Sequence, residues 1–100
     1  MELEMKLVRR KKKQQNKKWQ QQIKSIIKDP FAVKLMTISV NAGIEVLKSF
    51  IETTEEFLIK KGYSRFNRPV ISNLKPEQKI IKLAEYYQSL TDLQEGYYHD

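Results

Sequence analysis

Residues 29–62 read DPFAVKLMTISVNAGIEVLKSFIETTEEFLIKKG, and this stretch decides the fold. Asp29 is a favoured helix N-cap, and Pro30 is favoured at the first helical position. The stretch ends on two lysines and Gly62, which place cations in a last helical turn and a glycine just beyond it. We therefore predict one helix over residues 30–61.

The polar residues of this segment follow a helical order. They step by three or four positions and form one narrow stripe, so the rest of the helix is apolar or small and packs on more than one side. This pattern predicts a central helix with Leu35, Ile38, Leu47 and Ile51 buried. The stripe consists of Lys34, Thr37, Asn41, Glu45, Lys48, Glu52 and Glu55.

Two further helical segments flank the central one. Residues 2–28 carry apolar positions at a spacing of three or four, with Trp19 in register as a core anchor. Residues 76–93 start with Pro76 and continue with an apolar face, on which we expect Leu83 and Tyr87 to be buried. The fold class is thus all-α, with helices over about 2–28, 30–61 and 76–93. We expect a basic arm at 1–18, a helical domain at 19–93 and a tail at 94–100.

The central segment is long for the helices that must cover it. It measures about 48 Å at 1.5 Å per residue, and the segment at residues 76–93 is little more than half as long. Two arrangements would cover the remaining apolar surface of the central helix. A straight helix requires a second copy of the chain, and we favour this homodimer. A break near Asn41–Gly43 gives a four-helix arrangement instead. The residues expected at a dimer interface are Ser39, Ala42 and Gly43, with Met5 and Val8 along the arm.

The positive charge is concentrated at the N-terminus. Residues 1–28 hold ten basic and two acidic side chains, a net charge of +8, whereas residues 29–100 hold nine basic and ten acidic, a net charge of −1. Such a segment attracts polyanions, and a loop that interleaves aromatics with arginines offers a second contact. The expected nucleic-acid contacts are Arg9, Arg10, Lys11, Lys12, Lys13, Lys17, Lys18, Lys24, Arg65 and Arg68.

Motifs that would indicate catalysis are missing from the sequence. The chain has no cysteine and one histidine, His99, and it contains none of the common nucleophile, phosphate-loop or zinc motifs. Glu52, Glu55 and Glu56 are close in sequence, and we expect them to form a solvated helix face. We predict a non-enzymatic protein without catalytic residues, metal or cofactor.

The function class that remains is binding. Our first hypothesis is a cytoplasmic nucleic-acid-binding accessory or regulatory protein that contacts DNA or RNA phosphates through its basic N-terminal helix. The alternative is an adaptor or inhibitor that binds a larger protein or nucleoprotein machine, with an acidic protein as the partner of the arm. A membrane surface is disfavoured because the apolar face is interrupted where the charge is densest. Fifteen lysines and ten isoleucines against three alanines suggest an AT-rich gene, which fits a phage or plasmid origin.

Overall fold

The computed structural model describes residues 18–99, and this part of the chain is built from four helices. They are α1 (Lys18–Ile26), α2 (Pro30–Met36), α3 (Val40–Lys60) and α4 (Pro76–His99). Residues 18–99 contain no strand, and the all-α prediction is confirmed for them. Met5, Val8 and the first part of the basic arm lie outside the described residues.

The long central segment is two helices. α2 ends at Met36, and Ser39 caps the start of α3 with an extended backbone (φ −155°, ψ 163°) while its Oγ accepts a hydrogen bond from the Ala42 amide at 3.2 Å. Our preference for a straight helix was therefore wrong. The break that we held as the alternative exists, but it lies at residues 37–39, ahead of Asn41–Gly43.

Gly43 is the point where three helices meet. A Cβ atom at this position would collide with the Met36 carbonyl oxygen at the end of α2 and with Ile80 Cδ1 of α4. The close crossing predicted at Ser39, Ala42 and Gly43 thus occurs at Gly43 and inside one chain. Gly43 is buried, so a second copy cannot reach it in this conformation.

α3 and α4 run in the same direction along each other. Gly43 lies against Ile80, the Phe50 ring is 5.8 Å from that of Tyr87, and the Phe57 ring is 5.3 Å from that of Tyr98. The connection over residues 61–75 must therefore travel back along α3, which is about 31 Å long. Fifteen extended residues span at most roughly 50 Å, so the connection has enough reach. We call residues 61–75 the strap.

The strap begins with a glycine turn. Gly62 has a positive φ of 93°, its amide donates to the Ile59 carbonyl at 2.9 Å, and the Tyr63 amide donates to the Leu58 carbonyl at 2.9 Å. This pair of bonds is the Schellman arrangement, which favours glycine at the left-handed position. The predicted end of the central segment at Gly62 is confirmed, as are the helix starts at Pro30 and Pro76.

The core lies between α3 and α4, with α1 and α2 packed over one end. Trp19 is 7% exposed, so its predicted role as a core anchor is confirmed. Leu47, Ile51 and Leu83 are buried as predicted, whereas Leu35 and Tyr87 are half-buried. Ile38 is 73% exposed, and its predicted burial was wrong because the break turns it outward.

α4 is longer than the sequence indicated. The predicted end near residue 93 is corrected to His99, so most of the expected tail at 94–100 is helical. Aromatic contacts hold its last turns, since Tyr98 stacks on Phe57 and Tyr97 packs against the core. The helix also passes through Gly96.

The glycines of α3 and α4 give a matched test of the crossing. Gly43→Ala forces the Met36 carbonyl and Ile80 apart, and overpacking of this kind costs about 1–3 kcal/mol against a helix-propensity gain of about 1 kcal/mol. Gly96→Ala meets no atom within 4 Å and gains only the propensity term. Urea unfolding should show a net loss of up to about 2 kcal/mol for Gly43→Ala and a gain for Gly96→Ala, and stabilisation by Gly43→Ala would contradict the crossing.

Burial in the core is tested by a second pair. Leu47 is fully buried, and Leu47→Ala should cost about 2–5 kcal/mol of unfolding free energy. Ile38→Ala, at an exposed position, should stay within about 0.5 kcal/mol. The same urea titrations report both values, and a large loss at Ile38 would indicate that another surface covers it.

Candidate nucleic-acid interface

A groove of about 570 Å³ lies between α1 and α2. Polar and basic side chains line it together with the apolar residues Ile27, Pro30 and Val33. The lining consists of Gln20, Gln21, Lys24, Ile27, Lys28, Pro30, Val33, Lys34 and Thr37. None of these nine residues is acidic.

The periodicity of α1 explains why these side chains face the groove. Trp19, Ile23 and Ile27 enter the core at a spacing of four, and this leaves Gln20 and Lys24 on the neighbouring side. The same separation occurs in α2, where Ala32 and Met36 are buried. The groove is therefore the outer seam between α1 and α2.

Hydrogen bonds tie the C-terminal end of α2 to α1 and cap its N-terminal end. Gln20 Nε2 donates to the Thr37 carbonyl oxygen at 2.6 Å, which satisfies a carbonyl left open by the end of the helix. At the other end, the Asp29 carboxylate accepts from the Phe31 amide at 3.0 Å. The bond from Gln20 to Thr37 holds α1 and the end of α2 together.

The lysines of the groove differ in what they contact. Lys28 Nζ lies 3.3 Å from Asp92 of α4, but both side chains are more than half exposed, and such a surface pair contributes at most about 1 kcal/mol. Lys24 and Lys34 form no ion pair with any residue in the range 18–99. Two lysines at least are thus available to an anionic ligand.

The groove continues the basic segment of the sequence. Lys18 is exposed at the start of α1, directly after the run that carries most of the charge. Of the expected contacts, Lys18 and Lys24 lie on α1. Lys28 and Lys34, which line the groove, were not among the expected contacts. The remaining arm residues lie outside the described part of the chain: Arg9, Arg10, Lys11, Lys12, Lys13 and Lys17.

Sequence reasoning missed Lys34 because it placed that residue on the stripe of a continuous helix. The break at residues 37–39 re-orients α2 and brings Lys34 beside α1. The only sequence signal for this break is Ser39, a favoured N-cap, in front of the helical run at Val40.

Arg65 and Arg68, which we expected to form a second nucleic-acid site, differ in what they contact. Arg68 binds the Glu55 carboxylate with two hydrogen bonds, from Nε to Oε2 at 2.9 Å and from Nη2 to Oε1. Tyr86 donates its hydroxyl hydrogen to the same Oε2 at 2.6 Å. Arg68 thereby pins the strap to α3 and α4. Arg65 is exposed and has no ion pair among residues 18–99.

Glu55 corrects the prediction of a solvated acidic face. Its side chain is only 10% exposed, whereas Glu52 and Glu56 are exposed as expected. The hydrogen bond from Arg68 lowers the pKa of Glu55, and this outweighs the opposing effect of burial. Burial, and then the hydrogen bond to Glu55, raise the pKa of Tyr86. The sequence gives no signal for this cluster, because it depends on the path of the strap.

The described residues hold neither a cluster of metal-ligating side chains nor a membrane-spanning helix. Residues 18–99 bring no three of His, Cys, Asp or Glu together in a way that could hold a metal ion. None of their helices combines the length and the apolar character that crossing a bilayer requires. No protein-family profile matches the chain, and no curated protein or solved structure shows significant similarity to it.

The Glu55 cluster predicts a pH-dependent stability. The folded-state pKa of Glu55 lies below its ordinary value of 4.5, so the ionised pair stabilises the fold above that pH and is lost as the pH falls through the folded pKa. Glu55→Gln should therefore cost about 1–2 kcal/mol at pH 7, a reduced figure because Arg68 is half exposed.

Denaturant unfolding at several pH values measures this effect. The difference between wild type and Glu55→Gln should shrink below about pH 4. The exposed neighbour variant Glu56→Gln is the control and should stay within about 0.5 kcal/mol at pH 7. A difference that is independent of pH would contradict the ionised pair.

Proposed function

We propose that this chain is a non-enzymatic nucleic-acid-binding protein that contacts phosphates through its basic N-terminal segment and the groove between α1 and α2. The observation that carries the proposal is the lining of that groove, which has three lysines and no acidic residue. Phosphate oxygens are the ligands that such a surface attracts without regard to sequence. An accessory or regulatory role in the cytoplasm fits a small chain of this kind.

The charge distribution supports the same conclusion. Residues 1–28 carry a net +8 and the remainder a net −1, so the attraction has one location in the sequence. Lys24 and Lys28 extend this segment into the groove, and Lys34 adds a charge from α2. Arg68 is excluded from the proposal because its guanidinium is occupied by Glu55. Arg65 stays a secondary candidate.

A second candidate function is binding to a protein. It rests on exposed apolar side chains, since Ile59 is 58% and Tyr98 67% exposed near the end of α3 and α4. Aromatic and aliphatic side chains of this kind are typical of protein contact surfaces. Salt separates the two functions, because phosphate binding weakens steeply with ionic strength and an apolar contact does not.

Charge removal in the groove tests the proposal. The double variant Lys24→Gln and Lys34→Gln should bind an oligonucleotide more weakly, and the slope of log K against log salt concentration should fall by roughly 0.7–0.9 for each phosphate that a lysine no longer neutralises. Fluorescence anisotropy between about 50 and 200 mM salt gives this slope. Glutamine keeps most of the side-chain length, so the fold is retained.

The matched control removes two charges elsewhere. Lys48→Gln with Lys60→Gln changes exposed lysines of α3 and should leave the slope unchanged. Replacement of Arg9, Arg10, Lys11, Lys12 and Lys13 by glutamine should reduce the slope most, because that run is the densest in charge. Equal reductions of affinity in the groove and control variants would show that only the net charge matters, and would contradict a located interface.

A further inference from the structure

Phe31 is a large aromatic side chain that the fold leaves unused. Its residue is 67% exposed, and it is not among the side chains that pack against the core. An exposed ring on a small domain calls for a reason, since burial of a phenylalanine side chain is worth about 1.5–3 kcal/mol. The position of Phe31 in the fold gives a reason for this exposure.

Phe31 does not itself line the basic groove, but two of its neighbours on α2 do. Phe31 follows Pro30 and precedes Lys34 by three positions on α2, and both of those residues line the groove. Residues three apart on a helix are neighbours on its surface. Phe31 and Lys34 thus present an aromatic face and a cation side by side.

The support under Phe31 is rigid. Pro30 fixes the backbone ahead of Phe31, and the Phe31 amide donates a hydrogen bond to the Asp29 carboxylate at 3.0 Å. Gln20 holds the other end of the helix to α1 through the Thr37 carbonyl. A ligand that stacks on this ring therefore meets a positioned platform, and binding does not first have to order the helix.

We propose that the groove takes single-stranded nucleic acid, with Lys24 and Lys34 on phosphates and an unpaired base stacked on Phe31. The inference rests on the proposed function and specifies its ligand. A single strand offers phosphates and free base faces together, and aromatic side chains bind those faces with little sequence preference. Trp19 cannot serve in this way because it is buried.

A duplex fits this surface less well. The outward side chains of α2 beyond Pro30 are Phe31 and Lys34, and the helix carries none of the arginine, asparagine or glutamine side chains that read base edges in the major groove. In a duplex the base faces are covered by stacking, so Phe31 would have no partner. The lysines and the absence of acids in the lining also favour an anion over an ordinary protein surface.

The test compares three probes of about 20 units on the full chain, namely a thymidine strand, an abasic strand with the same phosphates, and a duplex. Fluorescence anisotropy should show tighter binding to the thymidine strand than to the abasic strand, by roughly 5- to 100-fold. Phe31→Leu should remove this preference and leave the abasic affinity unchanged. Phe31→Tyr should retain it.

The control is Tyr98→Leu, which removes an aromatic ring with the same 67% exposure at a place away from the groove. It should leave the preference intact. Equal binding of the thymidine and abasic strands, an unchanged preference in Phe31→Leu, or tighter binding of the duplex would each overturn the stacking inference and leave phosphate binding standing. Binding of polyglutamate without binding of any nucleic acid would overturn both.

Discussion

The close approach at Gly43 is the contact on which the rest of the structure depends. At this position α3 meets the last carbonyl of α2 and the Ile80 side chain of α4, and no side chain larger than hydrogen fits between them. The contact is possible only because the chain breaks at residues 37–39. It places α2 over the start of α3, and α1 then lies beside α2 and closes the end of the core. The basic groove is a consequence of this arrangement.

The strap imposes a second constraint. α3 and α4 run in the same direction, so the chain must return along α3 without regular structure, and its backbone gains little from helical hydrogen bonds. The Arg68 pair with Glu55 fixes it near the middle, and Tyr86 completes the carboxylate's hydrogen bonding from α4. One buried acid thus joins two helices and the strap. An arginine that composition alone assigns to nucleic acid has a structural role.

Local signals in the sequence predicted much of the fold. Asp29-Pro30, Gly62 and Pro76 mark helix boundaries through capping chemistry, which acts over a few residues, and each lies where the sequence places it. The burial of Trp19, Leu47 and Leu83 follows from helical periodicity. What could not be predicted depends on tertiary geometry. α2 ends at Met36 and Ser39 caps the start of α3, and this break turned Ile38 outward and Lys34 into the groove.

The residues of the candidate site likewise fall into those that the sequence predicted and those that depend on tertiary packing. The charge run of residues 9–24 is a property of the sequence, and the position of Lys24 beside the groove follows from the periodicity of α1. The lysine on α2, the exposed ring of Phe31 and the engagement of Arg68 in an ion pair all depend on how the helices pack. The account places the ligand on one surface, the seam between α1 and α2.

Chemical-shift mapping of the full chain with a short single-stranded oligonucleotide tests this placement most directly. The account predicts the largest amide shifts along α1 and α2, at Gln20, Lys24, Phe31 and Lys34, with little change at Glu55 and Arg68. Shifts concentrated on the strap or on the Phe57–Tyr98 contact, or no shifts at low salt, would contradict it.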